Sequence, residues 1–211
     1  MTAIQYRIEL VPAPLEVRSH FGKAEVKDMI QIQYFGSIRA AAQKSAYFGV
    51  LSALALALSW AESFLAPLLN LPMGVKPGLS NIAVMVASST LGLPAGLAAA
   101  AAKAMFAGVT RGLTAMLLSA VGGLVSALLV GFLFRYGNRT TRFPISETGI
   151  GMLGGVTHNL CQLGAAALLT RTAGIYWLAP LLIVSGLLSG AVTGTLVKLL
   201  RKKVLDGFRA T

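Results

Sequence analysis

Three ionisable residues lie inside apolar stretches: Glu62 in ALALALSWAESF, Lys103 in AGLAAAAAKAMFAG and His158 in GGVTHNLCQLG. An ionisable side chain in the middle of a membrane helix costs about 2.5–3.5 kcal/mol even on insertion scales, so such groups are kept where they pair, relay protons or hold a solute. Three amides accompany them, Asn81, Asn159 and Gln162. His158 and Gln162 are four apart and share a helix face. Lys76 and Arg111 fall in short junctions between apolar stretches, on the side where these groups would gather. Two cations, an imidazole and several amides suit an anionic or carbonyl-rich solute, since charge-assisted hydrogen bonds are the strong ones. The candidate binding residues are therefore Glu62, Lys76, Asn81, Lys103, His158, Asn159 and Gln162. Each also has a plainer role. Glu62 and Lys76 can be solvated at the interface, Lys103 can pair with Glu62, and His158 can bond to a neighbouring helix. Convergence on one cavity would separate the two readings.

Other chemistries lack their residues. There is no GxxxxGK[ST] loop, no GxSxG, no HExxH and no CxxC. The aspartates are Asp28 and Asp206, so no Asp-rich magnesium site for a diphosphate can be built from this chain alone. The histidines are His20 and His158, which makes paired axial haem ligation implausible. The lone Cys161 permits neither an intrachain disulfide nor a zinc cage, and reads as a small apolar residue. No catalytic function, metal or cofactor is expected.

The elements that position these residues follow from composition. The chain has 211 residues, 55% of them hydrophobic and 12% charged, with a mean hydropathy of +0.73. Soluble domains are nearer about 25% charged. An all-α membrane bundle is expected. Six apolar stretches read as spans: 45–66, 78–93, 94–109, 113–134, 145–169 and 176–200. The second and third are short, and Leu91–Pro94 is the weak junction.

The net charge is +11, and 14 of the 18 Lys and Arg fall in residues 1–44, 135–142 and 198–209. Such clustering beside apolar stretches is the positive-inside pattern rather than a nucleic-acid surface. Six spans put all three basic segments on one side, so both termini are expected to be cytoplasmic in a multi-pass protein of the cell membrane. Five or seven would split them. Residues 1–44 form a polar N-terminal segment with weak strand-like alternation over Ile4–Val11, and residues 201–211 a basic tail. No signal-peptide core is visible. Met29 is a second candidate start, with residues 1–28 as an extension.

Small residues recur every fourth position in three spans: Ser45, Gly49, Ala53, Ala57 and Ala61; Ser119, Gly123, Ala127 and Gly131; and Gly186, Gly190 and Gly194. Each stripe lets another helix approach closely. Packing inside the bundle and docking of a separate membrane subunit both fit.

Four segments carry a family resemblance: Ala53–Phe64 (ALALALSWAESF), Gly74–Ala83 (GVKPGLSNIA), Gly154–Gly164 (GGVTHNLCQLG) and Leu182–Thr195 (LIVSGLLSGAVTGT). Together they resemble the Gx transporter family, whose members are often labelled heptaprenyl diphosphate synthase component I. That family is similar to the substrate-binding S components of energy-coupling factor importers. The resemblance implies a six-helix S-component fold and a small solute as ligand. It also implies a docking face at Gly49, Ala53 and Ala57 for a membrane coupling subunit with two ATPases. Lys103 stands where the family pattern leads us to expect Arg, and Pro77 where it leads us to expect Leu. The first departure keeps charge and loses a planar fork. Two other roles follow from the resemblance: an accessory membrane subunit of polyprenyl diphosphate synthesis, and a membrane component of a flavin- or quinone-linked electron-transfer system.

Overall fold

The computed structural model describes residues 23–68, 78–136 and 145–209. These residues form six α-helices and one 3-10 segment, with no strand among them. In chain order they are α1 (Lys23–Leu68), α2 (Leu79–Thr90), α3 (Leu93–Arg111), α4 (Leu113–Tyr136), α5 (Glu147–Thr170), a 3-10 turn at Ala173–Leu178, and α6 (Ala179–Arg209). The chain divides into two compact units, Met1–Ser45 and Ala46–Thr211.

Breaks fall where the backbone cannot continue. Gly92 (φ 96°) separates α2 from α3 and Gly112 (φ 89°) separates α3 from α4, conformations that only glycine adopts at little cost. Pro94 sits in the first turn of α3, where its missing N–H costs nothing. Ser146 caps α5 by accepting from the Gly149 N–H at 3.1 Å.

Contacts between neighbouring helices show how they run. Gly96 of α3 lies against Ser88 of α2, while Lys103 further along α3 reaches back to Ser80. The two helices are therefore antiparallel. Gly108 faces Met116 and Gly131 faces Leu93, so α3 and α4 are antiparallel too. The same holds for α4 and α5, where Gly122 meets Gln162 and Gly154 meets Val130. In α5 and α6 a Cβ on Gly186 would lie 2.9 Å from the Gly155 carbonyl carbon, and one on Gly190 would lie 2.7 Å from Met152 Cα. Backbone meets backbone there, and no larger residue fits.

Four segments are long and apolar enough to cross a membrane: Ile38–Leu65, Leu93–Arg111, Leu113–Tyr136 and Ala173–Arg201. The protein is an all-α membrane bundle. Of the six expected spans, two fall short of that standard. α2 has 12 residues, about 18 Å of helix against a hydrocarbon core of about 30 Å. α5 is long enough, with 24 residues, but His158, Asn159 and Gln162 lie in its middle. Its packing between α4 and α6 compensates for that polarity.

Several boundaries differ from the sequence expectation. The first helix begins at Lys23, well before Ser45, because residues 23–44 contain no proline and the single Gly36 is tolerated within the helix. The sixth span opens as a 3-10 turn, and α6 runs on through the basic tail to Arg209. The strand-like stretch Ile4–Val11 lies outside the described residues.

The core is built of small side chains, including Ala55, Ala83, Ala87, Ala99, Ala100 and Ala127, with Val84, Met85 and Val130 between them. Large apolar residues face outward instead, among them Val50, Leu54, Leu128, Phe132, Val184 and Leu188. That inversion suits lipid, which solvates apolar surface and leaves close packing to small residues.

Candidate functional site

The alternating helices bring the predicted polar residues together between the middle of the bundle and the end that holds Arg111. α1 supplies Ser59 and Glu62 on a buried face that also carries Leu51 and Ala55. Glu62 is 4% exposed. Its Oε1 accepts from the Ser80 N–H at 3.1 Å and its Oε2 from the Ser80 hydroxyl at 2.9 Å. Ser80 lies in the first turn of α2, and Gly78 before it offers no side-chain cap. The carboxylate thus caps α2 from another helix, meeting an orphan N–H at the positive end of the helix dipole.

Lys103, 3% exposed, approaches from α3. Its ammonium donates to Asn81 Oδ1 at 2.6 Å and to Ser80 Oγ at 3.3 Å. The Ser80 hydroxyl therefore bridges acid and base, donating to Glu62 and accepting from Lys103. The pairing of Glu62 with Lys103 considered from sequence is present in this bridged form.

These groups line a cavity whose walls come from all six helices. α5 adds His158, Asn159 and Gln162; α4 adds Ser119; α6 adds Ser189; α3 adds Arg111. Arg111 donates from Nη2 to Ser59 Oγ at 3.3 Å, and its enclosed Nε has no hydrogen-bond partner among the described residues. Asn159 borders the cavity but gives its amide hydrogens to α6, to Leu182 O at 2.9 Å and Ser185 Oγ at 3.1 Å. Its role there is to tie α5 to α6.

Of the seven residues singled out from sequence, six border this cavity: Glu62, Asn81, Lys103, His158, Asn159 and Gln162. Lys76 lies outside the described residues. Sequence reasoning placed Arg111 at the mouth without counting it in the site, read Ser119 only as part of a small-residue stripe, and did not single out Ser59, Ser80 or Ser189. A lone serine leaves no signal in an apolar helix. Only the pairing of helices gives it a partner.

The cavity is small, about 30 Å³. A water needs roughly 10–15 Å³ of such space, and pockets for small organic ligands run to about 300 Å³ or more. At that volume a larger solute requires the helices to part. Two cations against one carboxylate leave an excess positive charge facing the space. Among the described residues no three His, Cys, Asp or Glu side chains converge as a metal site would need.

Residues 51–200 match the heptaprenyl diphosphate synthase component I family. The chain belongs to that family. The matched stretch holds every residue that borders the cavity. No curated protein and no solved structure matches the chain.

The three small-residue stripes have different fates. The α6 stripe is consumed against α5, and the α4 stripe faces Ala100 and Leu93 of α3 at Gly123 and Gly131. On α1, Gly49, Ala53 and Ala57 are exposed, and a Cβ on Gly49 would meet open space.

Proposed function

We propose that this family member is the solute-binding membrane subunit of a multi-component importer, related to the S components of energy-coupling factor systems. It would take an anionic small solute from outside the cell into the cavity at the Arg111 end. The reading is carried by one observation: Glu62 and Lys103 are both almost fully enclosed within lipid-length helices and share a cavity with Arg111 and His158. Such groups are expensive at that depth unless they serve a solute path.

Arg135 and Arg201 border one space at the opposite end of the bundle. Placed by the positive-inside rule, that end is cytoplasmic and the cavity end faces out. The chain carries no P-loop, so energy would come from two ATPases through a membrane coupling subunit. The open Gly49–Ala53–Ala57 face is the surface we assign to that subunit. Inward release would follow from helix rearrangement against it, as in alternating access.

A second reading comes from the family name: an accessory membrane subunit of polyprenyl diphosphate synthesis. The absence of an acidic magnesium motif in the sequence places catalysis elsewhere in that case, and we assign this chain no reaction of its own.

Purification of the tagged full chain from its own host in mild detergent separates the readings. The importer reading predicts recovery of a membrane coupling protein with two ATPases, lost in Ala57→Trp. Recovery of a prenyltransferase subunit in their place would contradict it.

A further inference from the structure

A second chamber adjoins the polar cavity. It is also about 30 Å³ and shares Asn81, Lys103, Gly155 and Ser189 with its neighbour. Its other walls are mostly apolar: Val84, Met85, Ala100, Ala127 and Val130. The Ser126 hydroxyl at its edge is occupied, donating to Gly154 O at 2.8 Å.

The relation between the two spaces is axial. On each of the five helices that line both, the chamber residues lie nearer the Arg201 end. On α4 the walls step from Ser119 to Val130, on α5 from His158 back to Gly151, and on α3 from Lys103 back to Ala100. At 1.5 Å per residue the α5 step is about 10 Å. Lys103 stands at the boundary. It borders both spaces, and its ammonium donates to Ser80 and Asn81.

We propose that the solute is an amphiphile, with an anionic head among Lys103, Arg111 and His158 and a short, slender apolar arm directed into this chamber. The proposal rests on the reading of the polar cavity as a solute site. A wholly polar solute would be served by the first space alone. Beyond Ser126 the one polar side chain that only this chamber has is Thr193, so most of the wall an arm would touch is apolar or glycine. Gly123 marks its open side, because a Cβ there would meet only Ala100 Cβ, at 3.8 Å.

The test uses the full chain in lipid nanodiscs and two probe series, n-alkyl phosphates and n-alkyl carboxylates, each from one carbon to eight. Affinity should rise about fourfold for each methylene that enters the chamber, then level off. Gly123→Val should abolish the dependence on chain length while leaving methyl phosphate or acetate binding unchanged, which also reports that the variant is folded. Met85→Ala, which enlarges the chamber, should extend the length at which affinity levels off. If the one-carbon probes bind and longer ones bind no tighter, the amphiphile proposal is overturned and the polar site stands. If the gain with length persists in Gly123→Val, the arm lies elsewhere and the proposal also fails. If neither one-carbon probe binds, the anion-site reading fails and takes this inference with it.

Discussion

An acid and a base meet at each end of the bundle, in opposite circumstances. Near the Arg201 end, Glu147 Oε1 accepts from Arg201 Nη1 at 3.2 Å, with the side chains 29% and 32% exposed. Arg201 also lies over the Phe134 ring, 5.5 Å from its centroid. Near the Arg111 end, Glu62 and Lys103 are 4% and 3% exposed and joined through Ser80. The first pair staples the start of α5 to the far part of α6 and keeps access to water. The second is withdrawn from bulk solvent, and its polar atoms are held by particular partners. Exposed pairs are worth little and are readily replaced. Enclosed ones are costly to break and weak as a source of stability, so their presence calls for another reason.

The largest expected effect breaks the enclosed pair from its acidic side. Glu62→Ala removes the enclosed carboxylate that balances Lys103 and takes the cap from α2, and should destabilise the protein by ~3–5 kcal/mol, read as a lower midpoint of thermal unfolding in detergent. A loss under about 1 kcal/mol would mean that water reaches the site freely. Lys103→Gln should cost less, ~1–3 kcal/mol, because Glu62 keeps both bonds from Ser80. Its larger consequence should be weaker solute retention. Arg201→Ala should cost only ~0.2–1 kcal/mol, and that loss should shrink as salt is raised. A loss as large as that of Glu62→Ala would erase the contrast between the ends. Ala57→Leu, on the open stripe of α1, should leave stability within ~0.5 kcal/mol while weakening association with the coupling subunit. A clear loss of stability would place that face inside the bundle.

The stripes repeat the lesson on a smaller scale. The same every-fourth spacing of small residues packs α6 against α5 and leaves α1 bare. Spacing states that a close approach is possible, and only the assembled bundle states which partner makes it. Much of the architecture was legible for a related reason: helix positions follow from runs of apolar residues and from glycine and proline breaks, which are local. α3, α4 and α5 fall within two residues of their expected ends. The start of α1 was not legible, because residues 23–44 mix charged and apolar side chains without a membrane-length apolar run, yet hold no proline and a single glycine, Gly36. Glu62, Lys103 and His158 stood out because charge is conspicuous among alanines and leucines. Ser80 did not, although it bridges Glu62 to Lys103. Its importance arises from residues 18 and 23 positions away in sequence, a relation that no local pattern encodes. Arg111 was visible as a charge but read as a feature of the mouth. The turn of α3 at Gly112 brings its guanidinium over Ser59.

Native mass spectrometry of the full chain, released from mild detergent, tests the central claim most directly. The account predicts a bound small molecule on the wild-type protein and on Arg201→Ala, lost or sharply reduced in Lys103→Gln. A molecule retained equally by all three, or none retained by the wild-type protein across growth conditions, would contradict it.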